Sequence, residues 1–460
     1  MKVSPPLLLL LGILRAAGTA AQELQDELDL QANANFVQGS GARAFGMGGA
    51  FLARPDDATA ASWNPAGLSY LRAPELSLVY LGSDFDVELE PVRGGIQTDN
   101  RRSHYPDFAA FTWPWTAKSL SGSLQLSYQR VLPFKTDRTI TLRPQPGNDA
   151  PNEVRTIDST GGFDTFALGT GVQVTRKLRL GLTLNRWFNG YDQTRLRPDL
   201  DVPSRQESDL ELHAWNVHVG AIVSPMDSLN VGFVLKTGFE AKAVLRRVRW
   251  DEYDDGANTR INTYSRDDVR IKLPGALGAG VSWRPLSNLT LSADYTRTHW
   301  STGEIRNFFT LARAFPSGPP ARPSPPQSGD FCGVYGPDDP PPRPGVTPCP
   351  PVLPYPTLEG DQQDTNQVRA GLEFVLLKPR LKVPLRAGYF RDSQFFPSLG
   401  GDAPTFDGFT VGTGLIVANV LFDVAYVYES GRYSDANGIQ NDVTFQKAYA
   451  SVIYRFSRRP

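Results

Sequence analysis

From Ser119 to Gln129 every second residue is polar: Ser119, Ser121, Ser123, Gln125, Ser127 and Gln129 alternate with Leu120, Gly122, Leu124, Leu126 and Tyr128. Side chains of a β-strand point alternately to its two faces, so this run is a strand with one apolar and one polar surface. The same period of two recurs at 165–174, 178–185, 215–220, 229–236, 271–283, 289–295, 368–376, 383–389, 409–417, 420–428 and 448–456. Weaker stretches at 75–87 and 105–116 bring the count to fourteen.

A soluble sandwich also alternates, and two features favour a membrane barrel instead. The polar faces carry small and charged groups, among them Arg179, Lys236, Lys272, Arg369 and Arg386, whereas the apolar faces carry leucine and aromatic residues. That suits lipid outside and a wet lumen inside. The connections also alternate in length. Short ones fall near 117–118, 175–177, 224–228, 284–288, 378–382 and 418–419; long ones fall near 88–104, 133–162, 190–208, 238–268, 298–366, 391–405 and 430–442. Short periplasmic turns facing long outer loops are the outer-membrane arrangement. An even strand number puts both ends of the wall on the periplasmic side, and the sheet must close because hydrocarbon cannot satisfy an open edge. The expected fold is therefore all-β, a transmembrane antiparallel barrel of about fourteen strands over residues 74–456, located in a Gram-negative outer membrane.

Residues 1–21 read as a secretory signal, with Lys2, the apolar run Leu7 to Leu14, and small residues at Gly18-Thr-Ala-Ala21. No later segment is long and apolar enough for a membrane helix. Residues 22–73 precede the first strand and contain the densest glycine cluster, Gly41-Ala-Arg-Ala-Phe-Gly-Met-Gly-Gly-Ala-Phe-Leu-Ala-Arg-Pro-Asp-Asp-Ala-Thr-Ala-Ala-Ser-Trp-Asn-Pro-Ala-Gly-Leu68. Glycines permit close backbone approach and positive φ. Asp56 and Asp57 stand where an N-cap would, ahead of a short helix from Ala58 to Trp63, and Asn64-Pro65 ends that helix. The cluster fits neither a dinucleotide fingerprint nor a phosphate loop.

This stretch resembles the N-terminal signature of the FadL/TodX family of outer-membrane transporters for hydrophobic compounds. The pattern Arg-Ala-x-Gly-Met-Gly-Gly-Ala-Phe, then Asp-Asp-Ala-Thr-Ala, then Asn-Pro-Ala-Gly-Leu stands almost complete, with Pro55 where the family often has a small residue. Leu273-Pro-Gly-Ala-Leu-Gly-Ala-Gly-Val-Ser-Trp283 and Pro384-Leu-Arg-Ala-Gly-Tyr389 also look like wall strands of that family. The resemblance implies a lumen plugged by residues 22–73 as a hatch. Ligand capture would move the hatch, and the ligand would leave through a gap in the wall made by a kinked third strand. Here the third strand, 119–132, carries Gly122 and no proline, so the sequence does not place the gap. Gly46, Gly48, Gly49, Asn64, Pro65 and Ala66 are the expected gate element. Phe45, Phe51 and the five inward cations are candidate ligand contacts, the cations pairing mainly with inward acids such as Asp294, Glu373, Asp423 and Glu429.

Other chemistry is unsupported. The formal charge of −1 argues against nucleic acid as the main partner. The four histidines include His213 and His218, five apart on one strand and therefore on opposite faces, and no spacing suggests zinc. No G-x-S-x-G elbow is present. No enzyme, metal or cofactor is expected. The expected partners are a hydrophobic small molecule, outer-membrane lipid and lipopolysaccharide, and the barrel-insertion machinery, which reads a last strand ending Val452-Ile-Tyr-Arg-Phe456 before a short 457–460 extension. A monomer is expected. The competing reading is a secretion-system shuttle that docks cargo proteins through its outer loops.

The Pro-rich outer loop, about 301–366, holds the only cysteines, Cys332 and Cys349. An exported chain lets them pair. The bond should stabilise its own loop by about 3 kcal/mol and leave the barrel unaffected. Alkylation of the unreduced exported protein should find no free thiol, and two free thiols would refute the bond.

Overall fold

The computed structural model describes residues 39–90, 97–134, 136–142, 153–197, 204–253, 259–316, 363–379, 381–395, 403–434 and 440–456. The expected signal segment, the two cysteines and the 457–460 extension lie outside the described residues.

Nineteen strand segments form one antiparallel sheet. Nine staves are single segments: β1 (Glu75–Glu90), β2 (Gln97–Ala117), β5 (Glu153–Gln173), β8 (Ser204–Met226), β15 (Thr365–Leu377), β16 (Lys382–Ser393), β17 (Thr405–Val417), β18 (Val420–Ser434) and β19 (Gln440–Arg455). Five more are interrupted once: β3 (Leu120–Pro133) with β4 (Thr136–Leu142), β6 (Leu178–Phe188) with β7 (Gly190–Arg197), β9 (Leu229–Lys236) with β10 (Phe239–Tyr253), β11 (Thr259–Leu273) with β12 (Ala276–Leu286), and β13 (Leu289–Thr298) with β14 (Glu304–Pro316). The wall is a closed barrel of fourteen staves. The seam that closes it pairs β1 with β19 from Glu75↔Arg455 to Glu90↔Gln440. At its lower end Arg455 Nε donates to Glu75 Oε1 at 2.7 Å.

The faces of the staves divide the barrel into two storeys. In the lower storey the outward face is apolar and exposed, as at Leu124, Leu126, Phe166, Leu168, Leu182, Phe233, Leu277 and Val411. The inward face there is buried and polar, as at Ser123, Gln125, Thr183, Asn230, Ser282 and Thr290. Lipid outside and hydrogen bonding inside is the pattern of a membrane-spanning barrel, and the outer membrane is where such closed barrels reside.

Above the interruptions the pattern inverts. Leu210, Leu212, Phe239, Ala241, Ala243, Ile271 and Leu273 face inward and are buried. Charged pairs such as Arg246–Asp209 and Arg270–Glu240 stand outside. Much of what reads as long outer loops in the sequence is thus tall hairpin. Residues 239–253, 259–268 and 304–316, the last at the start of the Pro-rich stretch, continue as β10, β11 and β14.

This inversion corrects one expectation. Lys272 was expected to face the lumen by counting alternation through 271–283, but it is exposed on the outer side, between buried Ile271 and Leu273. The count fails at Pro274-Gly275, which separates β11 from β12. Proline lacks the N–H that a ladder needs, and the break shifts the strand by one residue, which moves every side chain beyond it to the other face.

One wall ladder is incomplete. The β2–β3 pairing runs from Ala117↔Leu120 only to Phe108↔Gln129. Beyond it β2 pairs with β1 and β3 pairs with β5, while among the described residues no ladder joins β2 to β3 or β4. Both edges carry a bulge: Asp107 is unopposed in the β1–β2 ladder and Val131 in the β3–β5 ladder. Extra residues bend and twist a strand locally. Pro106 and Pro133 stand beside these bulges and offer no donor.

Candidate functional site

Residues 39–71 pack against the inward face of the lower storey and are almost entirely buried. They form helix α1 (Ala42–Gly46), helix α2 (Ala60–Trp63) and a 3-10 helix, Pro65–Tyr70. Helix α2 starts two residues later than its acidic pair suggests, because that pair has other partners. Asp57 Oδ1 accepts from Thr59 N at 2.9 Å and from Thr59 Oγ1 at 2.6 Å, while Asp56 accepts from Arg43 at 2.6 Å. Asn64 is extended, with φ −146 and ψ 108.

Asn64 joins the segment to two wall strands. Its Oδ1 accepts from Ala66 N at 3.1 Å. Its Nδ2 donates to Leu52 O at 2.8 Å and lies 3.3 Å from Ala221 O and from Phe233 O. Gly48 and Gly49 adopt φ of 68 and 74, which a side chain resists. Gly48 N donates to Thr410 Oγ1 at 2.9 Å, and its carbonyl accepts from Arg369 Nη1 at 3.1 Å. Thr410 Oγ1 in turn donates to Gly46 O at 3.1 Å.

The wall meets this segment with glycines. Gly171, Gly181 and Gly220 are cross-strand neighbours on β5, β6 and β8, Gly232 pairs with Gly280, and Gly371 pairs with Gly388. A Cβ at Gly171 would stand 2.6 Å from Pro65 O, and one at Gly181 would overlap Pro65 and Ala66. At Gly371 or Gly388 it would overlap Met47 or Gly48. Removing side chains along these staves lets backbone touch backbone.

Charges complete the attachment. Arg43 pairs with Asp56 at 2.6 Å and with Glu373 at 3.0 Å. Arg386 pairs with Glu373 at 2.8 Å and Asp423 at 2.7 Å. Burial opposes the charge on Arg43, but Asp56, Glu373 and Asp57 outweigh it and hold the guanidinium well above its ordinary pKa. Burial likewise opposes ionisation of Asp56, yet Arg43 and Arg54 hold its carboxyl well below the usual carboxylate range. Among the described residues Asp294 forms no ion pair; its Oδ2 accepts the Phe51 and Leu52 N–H groups at 2.6 and 2.7 Å.

The candidate ligand contacts divide. Arg369 bonds Asp392 at 2.6 Å and Arg386 is engaged as above, so both are committed to the attachment. Arg179 lies 4.2 Å from the Tyr70 ring centroid near the lower mouth. Phe45 stacks on Tyr449 at 4.1 Å and Phe51 meets Trp63 edge-on at 6.1 Å, so both rings are packed within the protein. Lys236 differs: its Nζ donates to Ser62 O at 3.0 Å and it lines a cavity of about 30 Å³ with Ser62, Gln129, Asn185, Asn216 and His218. That volume holds about two waters. Phe108, Gln129 and Val131, at the incomplete ladder, also line it.

Above the cavity lies the apolar upper storey. Trp187 packs on Phe239 at 4.8 Å and Trp300 stacks on Phe395 at 4.2 Å, among Leu132, Phe134 and Phe163. The cavity, Asp392 and the residues bordering the incomplete ladder were not singled out from the sequence. One signal was there: Arg130 occupies a position where the outward series Leu124, Leu126, Tyr128 calls for an apolar group.

Among solved structures the chain is similar to the Pseudomonas putida toluene transporter TodX, at 13% identity over 91% of this chain and 98% of that one, with a TM-score of 0.58. It is similar to a Pseudomonas aeruginosa FadL homologue at 13% identity, covering 91% and 99%, TM-score 0.58. It is also similar to the Ralstonia pickettii toluene transporter TbuX at 15% identity, covering 92% and 99%, TM-score 0.54. This chain has the TodX/FadL fold. No protein-family model and no curated protein sequence matches it.

A side chain on the glycine surface tests the attachment. Gly181→Val should still give an inserted, heat-modifiable barrel, but with the N-terminal segment displaced so that trypsin cuts at Arg43 or Arg54. Protection equal to the wild type would show that the close approach is dispensable.

Proposed function

We propose that the protein carries hydrophobic small molecules across the outer membrane. The observation that carries this reading is the vertical order of the interior: an apolar upper storey, a small cavity of mixed lining beneath it, and a buried segment below. A molecule with poor water solubility gains about 0.8 kcal/mol for each methylene it buries, so the upper storey can capture it and release becomes the harder step. The N-terminal segment serves as the hatch in this reading. Directly below the cavity it presents helix α2, through Ala61 and Ser62.

The exit is proposed to be lateral, at the incomplete β2–β3 ladder. Elsewhere a passage through the wall would break ladder hydrogen bonds in hydrocarbon, each expensive to leave unmade. Here Phe108, Gln129 and Val131 already line the cavity, and no ladder need break. In this reading the gap lies at the third strand, which is supported by its bulge at Val131 and by Pro133 just past the expected strand end. Two of the similar structures named above are described as toluene transporters, which agrees with a hydrophobic cargo. Fatty acids and aromatic hydrocarbons are both compatible with the upper storey, and Lys236 offers a cation to a polar head group.

Mass spectrometry of an organic extract of the purified barrel should find a hydrophobic small molecule at near-stoichiometric yield. A stoichiometric protein partner and no such molecule would favour the docking alternative. Asn64→Ala removes bonds worth about 1 kcal/mol each, so it should leave the barrel inserted while lowering uptake of a hydrophobic substrate by cells. Normal uptake in that variant would remove Asn64 from the gate.

A further inference from the structure

The unladdered stretch between β2 and β3 is crossed by a side-chain contact. Arg130 is the first residue past the last β2–β3 pair. Its Nε and Nη2 donate to Asp164 Oδ1 and Oδ2 at 2.8 and 3.0 Å. Asn189 Nδ2 donates to the same Oδ2 at 2.8 Å. Asp164 is only 2% exposed, although it stands on the outward face of β5 beside the exposed Phe166. Arg130 is thereby pinned to the β3–β5 side by a two-pronged bond, a geometry that lysine cannot reproduce. On the other side its guanidinium carbon lies 5.7 Å from the centroid of the Tyr105 ring, which belongs to β2.

We propose that Arg130 is the latch of this opening, a specificity-determining residue fixed to Asp164 and closing against the face of Tyr105. The inference rests on the lateral exit proposed above. Gln129 and Val131, the neighbours of Arg130, line the cavity with Phe108. A molecule moving from the cavity toward lipid therefore meets the guanidinium before it meets hydrocarbon. Because the post is held at two atoms, the moving part is the β2 edge, which already bends at the Pro106–Asp107 bulge. Opening separates Tyr105 from a cation while Arg130 keeps its carboxylate, so no charge is left unpaired. A cation held against a ring face resists entry of an aliphatic chain more than that of an aromatic ring, which can take the place of Tyr105.

The test uses the full-length protein in outer membranes of a Gram-negative host, with N-phenyl-1-naphthylamine as the probe. Tyr105→Leu removes the closing contact and leaves Asp164 paired. It should raise the probe's entry rate by about fivefold, the effect of losing one cation–π contact. Arg130→Ala should do the same if it inserts; Tyr105→Leu decides the matter if it does not. A nitroxide attached at His104→Cys, on the exposed face of β2, should become more mobile in the Tyr105→Leu barrel. Unchanged probe entry and unchanged nitroxide mobility in a folded Tyr105→Leu barrel would overturn the latch. Wild-type entry no faster than in cells lacking the protein, with nitroxide mobility still rising in Tyr105→Leu, would overturn the transport reading and leave the latch standing as a contact.

Discussion

A peptide group in hydrocarbon has no solvent to bond to, and most of this structure follows from that constraint. It requires a closed wall, which the β1–β19 ladder supplies. It also requires that anything placed inside the wall satisfy its own irregular backbone. Residues 39–71 do this with wall side chains. Asp294 takes two N–H groups, Thr410 takes one and returns its hydroxyl to Gly46, and Asn64 binds carbonyls on its own segment and on the wall. The polar inner face of the lower storey is therefore not merely wet; much of it is complementary to one segment of chain.

Two kinds of attachment coexist in that lower storey. Glycine pairs on the wall admit the backbone of Met47–Gly48 and of Pro65–Ala66 at contact distance. Buried ion pairs from Arg43 and Arg386 to the shared Glu373 fix the same segment on the staves that carry Gly371 and Gly388. Buried pairs are costly when broken, since a partner is left charged and dry, with penalties of about 3–5 kcal/mol. A segment held in this way moves as a body or stays put.

The upper storey answers a different solvent. Its outer surface meets water and carries charge; its inner surface is apolar and aromatic. The inversion occurs within single staves at Thr237-Gly238 and Pro274-Gly275, where an irregular residue pair exchanges the faces without ending the stave. One chain thus builds a lipid-facing cylinder and, on top of it, a storey with a packed apolar interior. The incomplete β2–β3 ladder lies where the two meet, and there the Arg130 guanidinium, held by Asp164 on β5, reaches the Tyr105 ring on β2.

Much of this was legible in the chain itself. Alternation such as Ser119 to Gln129 specifies strands, because strand period is local geometry. The count of fourteen followed from it, as did the lipid-facing series Leu124, Leu126 and Phe166 to Leu168. The Gly41–Leu68 run and Asn64-Pro65 marked the segment that breaks the pattern. What the sequence could not determine depends on register and on distant partners. Lys272 was misplaced because parity is counted along one strand, and a break at Pro274 resets it without any local sign of which way. Arg130 was visible as a misplaced charge, but its meaning needed Asp164, thirty-four residues on, and Tyr105 on a third strand. Local periodicity determined what the wall is made of. Only the closed tertiary structure, which sets side chains from separate staves against one another, decided where the wall is joined by backbone ladders and where a guanidinium meets a ring instead.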